Sequence, residues 1–379
     1  MQPIPYGRQS IDEEDVRAVI DVLHSDWLTT GPKVDEFERS ICDYCGCQHA
    51  VAVNSGTGAL DIAIQSLDLP KGTEVITTPF TFAATSNALL YNNLVPVYAD
   101  ISRDTRNIDP KDIRKKITNK TGAILFVDYA GHPCDITELR EISCEYDLFL
   151  IEDACHALGA AYQEKKIGSL ADLTIFSFHP VKLITTGEGG MVTTNDSSRA
   201  DTLRLLRSHG IDKTVHNLSE TGAPWAYDMV TLGRNYRMTD IQAALGISQA
   251  KKIDIFVQKR TKLSQLYNEL LQDIPQIELP VTLENMTHAW HLYTILLKGI
   301  KRDAVFSYLK SNNIGVNLHY IPTYHFSYYQ KYHPQNFSLF PVTEDVFNHI
   351  LTLPLYPELR EEDIQFIVEI LKKAIQHIY

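Results

Sequence analysis

The stretch Leu173-Thr174-Ile175-Phe176-Ser177-Phe178-His179-Pro180-Val181-Lys182-Leu183-Ile184-Thr185-Thr186-Gly187-Glu188-Gly189-Gly190 decides how the rest of the chain reads. Leu173 to Phe178 is apolar enough for a buried strand, and His179-Pro180 breaks it into a loop. One lysine, Lys182, sits in that loop among small and apolar neighbours. Burial lowers a lysine pKa, and the free amine is a nucleophile towards aldehydes and ketones. The ordinary alternative is a lysine whose stem lies on the core while its ammonium reaches water. The surroundings of the loop decide between the two.

Outward from this loop, short apolar strands alternate with helices. Ser10-Ile11-Asp12-Glu13 has capping-box spacing and predicts a helix from Ile11 or Asp12, and a second helix is expected from Lys33 to Tyr44. Strands are expected at 51–53, 75–78, 95–98, 123–127, 148–151, 173–178 and 191–193. The helices between them include one opened by the Asp109-Pro110 pair, a cap residue followed by proline at the first helical position. This alternation predicts an α/β protein: a mostly parallel central sheet with helices on both faces, plus a smaller C-terminal α+β domain. The segment 209–236 reads as a long polar loop. Thr239 then caps a helix expected to run unbroken towards Leu271 as a bridge between domains, so the division is placed at 1–250 and 251–379. Trp290 to Leu297 reads as a strand, with helices at 302–312 and 361–377.

Composition narrows the function classes. The formal net charge is −12, from 47 acidic and 35 basic residues. The basic residues are scattered, which argues against nucleic acid or an anionic membrane as partner. The first residues resemble no secretory leader, and no apolar run approaches the length of a membrane span. Six cysteines without a regular framework read as reduced thiols, so a cytoplasmic protein is expected. Cys42 and Cys45 have ligand spacing but no second pair at a matching interval, and no metal site is assigned.

In parallel sheets, chemistry collects at the carboxyl ends of the strands. One rim therefore receives Asn54-Ser55-Gly56-Thr57-Gly58, the Phe80-Thr81-Phe82 turn, Glu152-Asp153-Ala154-Cys155-His156 and the Lys182 loop. Small residues where a strand gives way to a helix offer backbone amides and hydroxyls to a phosphate. Only one of Glu152 and Asp153 is expected to face the site, because strand side chains alternate. A phosphate seat, a carboxylate and a secluded lysine together fit pyridoxal 5′-phosphate. Lys182 would hold its aldehyde, Asp153 its protonated pyridine nitrogen, and Phe82 and His156 would cover the ring faces.

Taken together, these motifs resemble the DegT/DnrJ/EryC/StrS sugar aminotransferases. The likeness spans nearly the whole chain, from Leu28-Thr29-Thr30-Gly31-Pro32 through Glu152 to Gly159, Ser177 to Lys182 and Gly187-Glu188-Gly189-Gly190 to Gly233-Arg234-Asn235-Tyr236-Arg237-Met238. The resemblance implies the aspartate aminotransferase fold (fold type I) and a homodimer with active sites at the subunit interface. It implies Lys182, Asp153 and His156 as catalytic residues. It also implies cofactor contacts from Thr57, Gly58, Phe82 and Ser177, and from Asn235 of the partner subunit. Retention of Lys182 sets the chain apart from the branch of the family that carries histidine there and removes oxygen instead.

Within the family, Val127-Asp128-Tyr129-Ala130-Gly131 resembles the aminotransferases of pseudaminic acid synthesis. That likeness implies a UDP-linked 4-keto-6-deoxy-N-acetylhexosamine aminated at C4, with L-glutamate as donor. Enzymes for bacillosamine, perosamine and spore-coat sugars share much of the pattern and stay open as alternatives. Arg237, His319 and Tyr320 are candidate substrate contacts, and Arg8, Trp27, Leu28 and Thr29 are expected to line the sugar pocket. Rival classes are another lysine-using enzyme of the same cofactor, or a sensor that keeps the fold without the transfer.

Overall fold

The structure is a computed structural model that describes residues 3–213 and 225–378. In chain order, α1 (Glu13–Leu23) and α2 (Pro32–Cys45) precede β1 (His49–Val53), α3 (Gly56–Gln65), β2 (Glu74–Thr77), α4 (Ala83–Tyr91) and β3 (Val95–Tyr98). Then come α5 (Pro110–Lys116), β4 (Thr121–Val127), α6 (Ile136–Tyr146), β5 (Phe149–Asp153) and the short β6 (Ala161–Tyr162) and β7 (Lys165–Lys166). They are followed by β8 (Leu173–Ser177), β9 (Gly190–Thr194), α7 (Ser197–Arg207), β10 (Ile211–Asp212), β11 (Asp228–Met229), α8 (Asp240–Ala250) and α9 (Ile253–Leu271). The remainder is β12 (Ile277–Glu278), β13 (Met286–Thr287), β14 (Tyr293–Leu297), α10 (Arg302–Ser311), α11 (Ser327–Tyr332), α12 (Pro341–His349), β15 (Ile350–Leu353) and α13 (Glu361–Ile378).

The central sheet runs in the order β1-β9-β8-β5-β4-β2-β3, and only β9 is antiparallel to its neighbours. Side-chain alternation sends Phe126, Leu150 and Phe176 to a face packed by Phe37, Ile41, Leu139 and Ala243 of α2, α6 and α8. Leu125, Ile151 and Ile175 go to the other face, under Leu60, Ile64, Leu89 and Leu203 of α3, α4 and α7. Helices on both faces leave the strands nearly wholly apolar, as the sequence predicts. A separate core gathers β14, β15 and α13 (Tyr293, Ile295, Leu351, Leu353, Ile367, Leu371) around Leu263, Tyr267 and Leu271 of α9.

Three expectations change. The first helix is capped by Asp12, not Ser10: its carboxylate accepts from the Glu14 and Asp15 amides, and Asp15 closes the box. The long bridging helix is two helices. Lys252 leaves helical geometry (φ −106°, ψ 0°), and its Nζ meets Asp12 and Asp15 of α1 at 2.5 and 3.0 Å. The break lets α8 lie against α1 and α2 while α9 continues, with Ile253, Phe256 and Val257 in the first core and its C-terminal half in the second. The strand expected from Trp290 starts at Tyr293, because Trp290 takes a left-handed backbone (φ 51°). Within the segment 209–236, residues 214–224 lie outside the described residues, and β10 pairs with β11 on either side of them. Among the described residues, no helix is long and apolar enough to cross a membrane, and no cluster of His, Cys, Asp and Glu could hold a metal ion. Cys42 and Cys45 belong to the last turns of α2.

Candidate active site

The carboxyl ends of β1, β5 and β8 and the turn after β2 open onto one cavity of about 530 Å³. Ser55 caps α3, its hydroxyl accepting the Gly58 amide at 3.0 Å. The Gly56 and Thr57 amides then have no partner within the helix, and both residues line the cavity beside Ser177. This is an anion seat at the positive end of a helix. Its close packing depends on Gly190, which sits between Val53 and Ser177 in the sheet. A Cβ there would meet the Ser55 carbonyl oxygen at 2.4 Å and the Gly56 nitrogen at 2.7 Å.

Lys182 lies in a loop folded back on its own strands. The Lys182 amide donates to the His179 carbonyl at 2.8 Å, Thr186 to the Phe178 carbonyl at 3.0 Å, and Phe178 to the Gly189 carbonyl at 2.9 Å. Burial lowers the Lys182 pKa, against a smaller upward pull from Cys155 and Asp153. Asp153 ends β5 and is nearly fully buried. Its Oδ2 accepts the Thr85 hydroxyl at 2.8 Å, and its Oδ1 accepts the Cys155 amide at 3.2 Å. Glu152 points to the opposite face, where Thr174 donates to its Oε2 at 2.7 Å, so the alternation selects Asp153 for the cavity.

His156 is buried against the cavity wall. Its Nε2 is 2.9 Å from the Tyr320 hydroxyl, and its Nδ1 is buried without a hydrogen-bond partner. The His291 ring lies behind it with centroids 4.4 Å apart. Burial first, then Lys182 and His319, hold the His156 pKa well below the ordinary value, so the ring is neutral. Phe82 is 62% exposed at the mouth, 6.2 Å from the Tyr320 ring. His319 and Tyr320 come from the segment after α10, and Tyr129 donates to the His319 carbonyl at 2.5 Å.

Of the residues singled out from sequence, Lys182, Asp153, His156, Thr57, Phe82, Ser177, His319 and Tyr320 meet in this cavity. Gly58 does not: its amide is taken by Ser55, and its α-carbon faces Asn54 and Tyr236. Arg8 is exposed and borders a separate crevice behind the Lys182 loop. Trp27, Leu28 and Thr29 are exposed, Thr29 bridging Thr239, while Arg237 bridges Val53. Neither these four residues nor Asn235, which bridges Ser208, lines the cavity of the single chain. Gly56, part of the expected phosphate seat, lines the cavity as well. Sequence reasoning missed Tyr6, Thr85, His291 and Asn317, which also line it and carried no local signal.

The residues present fit pyridoxal phosphate. The seat supplies free amides for a phosphate, the half-buried amine of Lys182 shares the cavity with a carboxylate, and a neutral imidazole offers a flat face. A parallel sheet with this lysine loop at its carboxyl rim defines a pyridoxal-phosphate enzyme of fold type I. The chain belongs to the DegT/DnrJ/EryC1/StrS aminotransferase family, whose model matches residues 9–372. It is 40% identical over 376 residues to an uncharacterised protein of Methanocaldococcus jannaschii, covering 98% of this chain and 97% of that one. It is 38% identical over 385 residues to a UDP-4-amino-4,6-dideoxy-N-acetyl-beta-L-altrosamine transaminase of Campylobacter jejuni, covering 99% and 98%. Among solved structures it matches Helicobacter pylori PseC, an aminotransferase involved in the biosynthesis of pseudoaminic acid, with TM-score 0.93, 34% identity and coverage of 99% and 100%. A putative sugar aminotransferase of Streptococcus pneumoniae in its PLP form matches with TM-score 0.92, 30% identity and full coverage of both chains. The protein is therefore a pyridoxal-phosphate-dependent aminotransferase.

Proposed function

We propose that this aminotransferase moves an amino group from L-glutamate to C4 of a UDP-linked 4-keto-6-deoxy-N-acetylhexosamine, in the cytoplasm and as a homodimer. The observation that carries the reading is the meeting of Lys182, Asp153 and the α3 amides in one cavity, within a chain so close to named sugar-nucleotide transaminases. Pyridoxal phosphate supplies an aldehyde that captures amines and a ring that withdraws electrons. The Lys182 amine would anchor that aldehyde between turnovers; once free, its Nζ would take the proton that leaves the donor's α-carbon in the first half-reaction and deliver one to the sugar carbon in the second. Burial keeps the amine available for this. Asp153, steadied by Thr85, would hold the pyridine proton. Gly56, Thr57 and Ser177 would hold the phosphate, His156 and Phe82 would confine the ring, and His319 and Tyr320 would face the sugar.

The homodimer rests on the family resemblance, which gives Asn235 to the partner's site; Arg237, Trp27, Leu28 and Thr29, which also lie outside this chain's own cavity, are assigned there with it. The two cores are assigned to a large cofactor domain, to about residue 250, and a small C-terminal domain. All six cysteines are free thiols, in keeping with a reducing compartment. The deciding experiment incubates the purified protein and glutamate with a panel of UDP-, GDP- and dTDP-linked 4-keto sugars and weighs each product. Amination of the UDP-N-acetyl substrate alone supports the proposal, and turnover of a different sugar nucleotide replaces it.

A further inference from the structure

Behind Asp153, on the face of the sheet away from the cavity, lie two carboxyl groups that the transfer chemistry does not use. Asp128 follows β4 and Glu152 is the last residue but one of β5, and both are fully buried. Each has one oxygen satisfied by a neutral donor: the Cys134 amide at 2.8 Å on Asp128 Oδ1, and the Thr174 hydroxyl at 2.7 Å on Glu152 Oε2. The other oxygens, Asp128 Oδ2 and Glu152 Oε1, are buried without a hydrogen-bond partner. The strand register sets Glu152 beside Phe126, two residues before Asp128, so the two carboxyls lie on one face of adjacent strands, and each influences the titration of the other. Two such carboxyls can hydrogen-bond to each other only if one of them carries a proton.

Among the described residues, no cation is paired with either carboxyl. The charged and titratable groups around the two are Asp153 on β5, Cys134 and Asp135 in the loop after β4, Cys45 at the end of α2, and Arg140 on α6. Arg140 is committed to Asp172 at 2.7 Å and to the Leu170 carbonyl at 2.8 Å. Two bare carboxylates here would stand next to a third, Asp153, in a dry interior.

We propose that Asp128 and Glu152 share a single proton and act together as a positioning pair for Asp153, clasping the carboxyl ends of β4 and β5 from behind the site. The Asp128 amide donates to the Asp153 carbonyl at 3.2 Å, so the clasp reaches the residue that faces the cavity. Burial, the largest influence on each group, pushes Asp128 up to about 7 and Glu152 well above the carboxylate range, in keeping with a retained proton. The pair stands whichever sugar the enzyme uses, because it depends on no substrate.

The unfolded chain gives up this proton at ordinary carboxylate pKa values, so the pair costs stability as pH rises through neutrality. Glu152→Gln and Asp128→Asn each replace the shared proton by an amide N–H and remove that dependence. The test compares thermal midpoints of both variants with the wild type from about pH 6 to about pH 9, together with the infrared carbonyl band of protonated carboxyls at neutral pH. The expected result is a midpoint difference that grows in the variants' favour with pH, and a wild-type band that each variant lacks. Glu152→Leu, which keeps no hydrogen bond, should lose turnover that Glu152→Gln retains. Midpoint curves parallel to the wild type, or a wild-type spectrum without the band, would overturn the proposal; the second result needs no variant to fold.

Discussion

The Thr85 hydroxyl donates to Asp153 Oδ2 at 2.8 Å, joining the first turn of α4 to the end of β5. The bond is buried: Thr85 is 1% and Asp153 4% exposed. It fixes the direction of the carboxylate that faces the cavity.

Thr85→Val keeps the shape and removes the donor. A hydrogen bond to a charged group contributes about 1.5–3 kcal/mol, so kcat should fall by about 10- to 100-fold. Binding of the nucleotide sugar should change little. Steady-state kinetics with a matched thermal melt would show it, and an unchanged kcat would remove Thr85 from the site's machinery.

Lys182→Ala should leave the fold intact, because the loop is held by backbone bonds from Phe178, Lys182 and Thr186. Turnover should fall by at least about 10³-fold, within the range expected for a lost acid/base that is also a covalent anchor. Borohydride reduction followed by peptide mass analysis should find no cofactor fixed to the variant. A label elsewhere on the chain would contradict the role of Lys182.

Gly190→Ala would push a methyl group against the Ser55 carbonyl and the Gly56 amide. The α3 start must move or the strand must shift, so phosphate affinity should suffer before global stability does. We expect the cofactor Kd to rise by about 10-fold or more, equivalent to about 1.4 kcal/mol. Titration of the apoprotein measures it directly.

Five buried histidines set an acid limit. Burial lowers the pKa of His132, holds His156, His288 and His291 well below the ordinary value and takes His319 to about 3. The unfolded chain protonates all five near pH ~6.5 while the folded chain resists it, so stability is present above that pH and is lost as pH falls through it. Each contributes a slope of up to about 1.4 kcal/mol per pH unit. The Asp128–Glu152 pair acts in the opposite direction but with fewer protons. The thermal midpoint should therefore drop between about pH 6.5 and pH 5, and a flat profile there would show that these rings titrate normally.

Much of the site was legible because its signals are local. Asp109 caps α5 with proline following it, and Lys182 marks its loop, since a cap, a breaker and a lone amine act within a few residues. What stayed hidden depends on distant chain segments. Tyr6 reaches the cavity on a strand-like segment bridged from Ile4 to Ile314, and His291 arrives through the turn at Trp290. The break at Lys251-Lys252 is invisible to periodicity, because what bends the chain there includes carboxylates some 240 residues earlier. The family resemblance implies Gly58 as a cofactor contact, and nothing in the local sequence says that the Ser55 hydroxyl takes its amide.

Helix α9 contributes Phe256 to one core and Tyr267 to the other, with no loop between them. Neither core can melt without unwinding part of its neighbour's wall. Denaturation of the apoprotein should therefore appear in calorimetry as one cooperative peak, and the lobe bearing His319 and Tyr320 should not come loose while the lobe bearing Lys182 stays folded.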